Sequence, residues 1–141
     1  MSLTHVPVEL RRFVRERAKD CCEYCLIPES SSFATHEIDH IVAEKHGGDT
    51  SAANLALSCT LCNRRKGSDL ASVDPQTDEA EMLFHPRKQR WSDHFRFEGA
   101  RIEPLTATGR ATARLLGLNA DARLAERAAL MASGHTWLAK S

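Results

Sequence analysis

The sequence predicts an α+β fold: a leading helix, a short two-stranded unit bracketed by paired cysteines, a basic helix, and a tail of one β-hairpin followed by helices. Three observations carry this expectation. Leu10, Phe13, Val14 and Arg17 follow a helical spacing near the N-terminus. Two C-x-x-C pairs enclose runs rich in β-branched and apolar residues, separated by a glycine turn. Beyond Val73 short strand-like runs give way to two helix-like ones.

In order along the chain, Pro7 suits the first turn of a helix that extends to Lys19. A knuckle at Cys22-Glu23-Tyr24-Cys25 leads into a polar loop through Pro28, Ser30 and Ser32. Phe33 to Val42 is expected to be a strand, with Ile38 and Ile41 as its β-branched positions. Gly47-Gly48-Asp49 marks a turn, and Asn54-Leu55-Ala56-Leu57 a second strand. After the second knuckle, Cys59-Thr60-Leu61-Cys62, the basic stretch from Asn63 to Gly67 starts a helix that runs to about Leu70. The acidic run from Asp74 to Glu81 is expected to be a surface loop. Phe95–Glu98 and Arg101–Glu103 should pair across Gly99-Ala100. Helices are expected from about Thr106 to Leu116, ending before Gly117, and from Asp121 to Met131 with Asn119 as its cap.

The 141 residues, 42% hydrophobic and 27% charged, are those of a globular protein with enough chain for one compact core. A single domain over 1–141 is expected, its core at about 18–70 and an extension at about 74–141 packed on it. No apolar run approaches the roughly 20 residues needed to span a bilayer. The N-terminus also lacks the apolar stretch and cleavage site of a signal peptide, which makes a cytoplasmic location the expectation. Nineteen basic residues balance nineteen acidic ones, so global charge gives no support to a nucleic-acid partner. Local clusters do: Arg11, Arg12, Arg15, Arg17 and Lys19; Arg64, Arg65 and Lys66; and Arg87, Lys88 and Arg90.

Five cysteines is an odd number and argues against a fully paired disulfide framework. Cys22, Cys25, Cys59 and Cys62 form two C-x-x-C pairs with 33 residues between them. Four thiolates so paired can surround one Zn²⁺ tetrahedrally at about 2.3 Å, a closed site that leaves no open position and is therefore structural. Cys21 is read as a spare, packed as a small hydrophobe.

The order C-x-x-C, Asp39-His40-Ile41, Gly47-Gly48, Asn54-Leu55, then Cys59-x-x-Cys62-Asn63-x-x-Lys66-Gly67 resembles the HNH endonuclease family in its zinc-stapled form, over roughly residues 18 to 70. The tail, with Leu83-Phe84-His85-Pro86-Arg87, Arg90-Trp91 and His94-Phe95, is similar to a bacterial subgroup of small HNH proteins. The resemblance implies a ββα-metal core, and with it a set of roles. His40 would be the general base that takes a proton from the attacking water. Asp39 would be a ligand of the single catalytic metal. Asn54 would hydrogen-bond backbone near His40 and hold the imidazole. Asn63, where many relatives carry histidine, would be the second metal ligand. A carboxylate and an amide are hard oxygen donors, which favour Mg²⁺ or Mn²⁺. Arg64, Arg65, Lys66 and His46 would lie near the phosphates of DNA, most simply double-stranded.

Adjacent strand residues point to opposite faces, so Asp39 and His40 can serve one site only at a bend or strand end. His36 lies on the same face as His40 and either lines the site or is a satisfied polar residue at the strand edge. His85 and His94 sit among Phe84, Trp91, Phe95 and Phe97 and read as an aromatic cluster; His5 and His135 read as uninvolved. Two other functional classes stay open: a zinc-stabilised module that binds nucleic acid without cutting it, and a nuclease acting on RNA or structured DNA. The tail could also serve a homodimer or a protein partner.

Overall fold

The computed structural model describes residues 5–137, which fall into two compact units. The first unit comprises the chain up to Leu70 together with His85–Lys88; the second comprises Ala71–Phe84 and the chain from Gln89. Both are small mixtures of helix and antiparallel sheet, as expected for an α+β chain. Among the described residues no helix is long and apolar enough to cross a membrane.

The first unit opens with α1 (Val8–Ala18), preceded by Pro7 and closed by Lys19 in the left-handed conformation. Its apolar stripe puts Val14 and Ala18 against Leu55 and Leu57, with Val6, Leu10 and Ile38 at the margin. Two arginines that read as part of a basic cluster serve this packing. Arg17 donates to the carbonyls of Ala52 and Leu55 at 2.9 and 2.7 Å. Arg15 pairs with Glu29 at 2.6 Å and reaches the His36 carbonyl at 2.9 Å.

The first strand is shorter than the expected Phe33–Val42: β1 covers Glu37–His40. Side chains replace the ladder at both ends. The Glu29 carboxylate accepts the His36 N–H at 2.7 Å, and the Asn54 side chain accepts that of Val42 at 2.9 Å. β2 (Leu55–Ser58) pairs antiparallel with β1, Asp39 opposite Ala56 and His40 opposite Leu55. The helix after the second knuckle, α2 (Thr60–Lys66), begins earlier than expected because the Cys59 sulfur caps it, accepting the Cys62 N–H at 3.4 Å. Gly67 ends it at φ 51°. Two strands and a helix in this order make the ββα unit.

The second unit holds a hairpin where an acidic loop was expected: β3 (Ala71–Val73) pairs with β4 (Ala80–Met82). Asp74 organises the connection, accepting Gln76 N–H and Thr77 hydroxyl at 2.9 and 3.2 Å and a two-pronged contact from Arg110 at 2.9 and 2.8 Å. After one helical turn, α3 (Trp91–His94), β5 (Phe95–Glu98) and β6 (Arg101–Pro104) form the expected hairpin. Next comes α4 (Ala107–Leu116), capped by Thr106 and stopped at left-handed Gly117. The last helix, α5 (Asp121–Ala132), is not capped by Asn119. That amide instead pairs with both backbone groups of Ile102 at 2.8 Å, a two-bond match that outcompetes a single cap. Phe84, Trp91, Phe95 and His94 pack as the expected aromatic cluster, but His85 belongs to the first unit.

Hydrogen bonding to Arg110 holds the Asp74 carboxyl down at about 2, against 3.8 for a free aspartate. A depressed folded value stabilises above the unfolded one, and that contribution disappears as pH falls through about 2. Asp74→Asn should therefore flatten the acid-unfolding curve of the second unit between about pH 4 and pH 2. Tryptophan fluorescence reads this unit alone, because Trp91 and Trp137 both lie in it. An unchanged curve would remove the Asp74–Arg110 pair as the cause.

Candidate active site

The four expected cysteines converge. The sulfurs of Cys22, Cys25, Cys59 and Cys62 all lie within 4.8 Å of one another and are buried, with Cys25 and Cys59 at 3.7 Å. Four ligands at about 2.3 Å from a central ion form a tetrahedron with edges of about 3.8 Å, so the cluster fits a metal held by four thiolates. Backbone N–H groups of Tyr24 and Cys25 point at the Cys22 sulfur at 3.4 and 3.5 Å, as suits a thiolate acceptor. Contact with Cys22 and then the other two sulfurs pushes the Cys62 thiol well up. Ionising all four thiols requires a cation among them. Cys21 is buried outside this set, bridged to Pro28, as its reading as a spare anticipates.

The knuckle residues between Cys22 and Cys25 are tied to the sheet. Glu23 N–H donates to the Leu57 carbonyl at 2.8 Å, its carboxylate accepts the Leu57 N–H at 2.9 Å, and it pairs with Arg87. The Tyr24 hydroxyl donates to Asp39 Oδ2 at 3.0 Å. Burial keeps that phenol protonated, well above its usual range, so it acts as a donor. Sequence reasoning passed over Tyr24; its only signal was a place inside a metal knuckle.

Asp39 and His40 sit at the end of β1, both nearly fully buried. Their side chains leave the strand in opposite senses and find different partners. Asp39 faces Tyr24 and Lys66, whose ammonium approaches Oδ2 at 3.2 Å and Oδ1 at 3.4 Å. Burial pushes the Asp39 carboxyl up, and Lys66 and then Tyr24 pull it partly back. His40 Nε2 meets the Thr50 hydroxyl at 2.9 Å, with Glu44 more distant at 3.9 Å. Thr50 was also missed: it lies in an irregular loop, and no spacing rule reaches from it to His40.

Asn54 hydrogen-bonds backbone just beyond His40. Its amide spans the loop between the strands, accepting Val42 N–H and donating to the carbonyls of Val42 and Asp49 at 2.9 and 2.8 Å. That bridge fixes the chain immediately after His40. It also leaves no room at Gly48, where a Cβ would lie 1.7 Å from the Val42 carbonyl oxygen and 2.8 Å from Asn54 Nδ2. Gly48→Ala should cost at least about 2 kcal/mol by forcing backbone apart. Gly47, at φ 89° with nothing nearby, should accept asparagine with little loss. Thermal unfolding of the two variants compares them directly, and equal melting temperatures would discard the packing explanation.

Asn63 lies in the first turn of α2, partly exposed, three residues before Lys66 and hence on the same face of the helix. Arg64 and Arg65 are exposed on α2, and His46 is exposed with its Nε2 on the Ser68 carbonyl at 3.1 Å. Lys66 corrects the expectation that it faces phosphate. It is 2% exposed and gives its donors to Asp39 and to the carbonyls of His40 and Ile41 at 3.3 and 3.0 Å, because a buried ammonium must satisfy all its hydrogens. His36 lies just before β1, with its Nε2 on the Ile27 carbonyl at 2.9 Å and its buried Nδ1 without a hydrogen-bond partner among the described residues.

A two-stranded sheet ending in an acid and an imidazole, closed by a helix and stapled by four cysteines, defines a ββα-metal unit. Residues 22–69 match the model of the HNH endonuclease family, and the four clustered cysteines fit its zinc-binding form. The match covers about a third of the chain and lies within the first unit. It assigns the chain a nuclease-type domain. No curated protein and no solved structure matches the chain.

Proposed function

We propose that this protein is a metal-dependent endonuclease that hydrolyses phosphodiester bonds of DNA. His40 is its general base, and Asp39 and Asn63 are the ligands of one Mg²⁺ or Mn²⁺. The observation that carries this reading is that adjacent Asp39 and His40 stand at the end of β1, within the residues that match the family model. Tyr24 and Lys66 donate to Asp39, His40 Nε2 meets the Thr50 hydroxyl, and α2, which also bears Asn63, brings Lys66 to the carboxylate.

The residues fit such a cation. Asp39 already holds a positive charge, the Lys66 ammonium, against its carboxylate. Asn63 adds an amide oxygen, and both are hard donors. A bound divalent ion would neutralise charge building up on the phosphate. The chain's own part is proton transfer. In the tautomer whose Nε2–H donates to Thr50, the lone pair of His40 is on Nδ1, which would accept a proton from water. The water oxygen forms a bond to phosphorus while the bridging P–O bond breaks, its electron pair leaving with the departing oxygen. Asn54 keeps the loop after His40 from drifting during this exchange. Exposed Arg64, Arg65 and His46 are available to neighbouring phosphates. Zn²⁺ in the four-cysteine cluster would be structural, since its four ligands leave no position for water.

The test is a cleavage panel of plasmid, single-stranded DNA and RNA with Mg²⁺, Mn²⁺ or EDTA. Nicked or linear plasmid that appears only with metal supports the reading. Retarded but uncut plasmid under every condition would replace it with a binding module.

A further inference from the structure

Buried charge at the site is unusually placed. Asp39 is 5% exposed and Lys66 2%, and no other charged side chain approaches the carboxylate among the bonded contacts of the described residues. Lys66 is tied on one side to the carboxylate and on the other to the carbonyls of His40 and Ile41, so all three of its hydrogens are committed. A divalent cation at Asp39 would lie a few ångströms from this ammonium, in a place where water screens little. The two cations compete for one anion.

From this arrangement we infer that Lys66 is the resident counter-ion of Asp39, a positioning residue whose ammonium must release the carboxylate before a divalent cation takes it. Lys66 thereby sets the concentration at which the site fills. The inference rests on the one-metal reading above. It differs in sign from ordinary outer-shell support. Removing a group that merely orients a metal ligand lowers metal affinity by about 10–100-fold, whereas removing a competitor raises it.

Mn²⁺ binding to the full-length, zinc-loaded protein decides between the two. Free Mn²⁺ is followed by electron paramagnetic resonance, without any cleavage reaction. Lys66→Met keeps the length and loses the charge, and should bind Mn²⁺ about tenfold or more tightly than the parent. The double variant Asp39→Asn/Lys66→Met should bind none at this site. Equal or weaker affinity in Lys66→Met overturns the inference while leaving the metal site in place. No Asp39-dependent Mn²⁺ binding in either protein overturns the one-metal reading and the inference with it. A second measurement needs no variant. Lys66 in the parent protein should resist amine acetylation and become reactive at saturating Mn²⁺, as read by peptide mass mapping. Continued protection at full Mn²⁺ occupancy would refute release of the ammonium.

Discussion

His40→Ala is expected to abolish metal-dependent plasmid cleavage, a fall of about 10²–10⁴-fold, the usual contribution of a positioned general base. The fold should survive. The His40 side chain is bonded to Thr50, with Glu44 at the edge of reach, whereas the ladder partners of β1 are backbone groups. Circular dichroism and zinc content are therefore expected to match the parent within error, which separates loss of chemistry from loss of structure. A His40→Ala protein that still cuts at the parent's rate would end the assignment of this imidazole as base. Residual cleavage that an exogenous imidazole restores would support it further.

Cys59→Ser is expected to have the largest effect on stability. Cys59 is both a corner of the four-sulfur cluster and the residue whose sulfur caps α2. The change removes a ligand from the cluster, while a serine hydroxyl can still cap the helix that carries Asn63 and Lys66. Structural zinc supplies about 10–16 kcal/mol of apparent binding free energy in small domains, as much as or more than the total stability of a typical domain. The first unit should accordingly unfold or fail to accumulate, and a strong chelator should have the same effect on the parent. Metal analysis should give one zinc per chain in the parent and less in the variant. A parent protein with no zinc, or a Cys59→Ser protein as stable as the parent, would remove the staple.

Much of this site was legible in the sequence because its chemistry is local. Cysteines paired with two residues between them come together in one cluster once β1 and β2 are in register. The Asp39-His40 dipeptide and Asn54 bracket the loop that they organise. Glycine stops at 67 and 117 and the Thr106 cap follow from backbone preferences that act over a few residues. What escaped was decided by partners distant in sequence. The hairpin β3–β4 reads as an acidic loop until Asp74 finds Arg110, 36 residues later. Asn119 reads as a helix cap until the backbone of Ile102 offers it two bonds.

The sequence by itself determined the ββα unit, the four-cysteine cluster and the place of Asp39 and His40 at the end of the first strand. These are set by residue type and short spacing. The tertiary structure alone decided what each side chain is aimed at. Lys66 belongs by sequence to a basic run with Arg64 and Arg65, yet the helix turns it inward and leaves both arginines outside. A side chain on that face meets the buried carboxylate of Asp39, and a charge taken out of water must be paired. Tyr24 and Thr50 reach Asp39 and His40 for a related reason: buried polar groups need partners, and folding brings those partners from loops that carry no spacing rule.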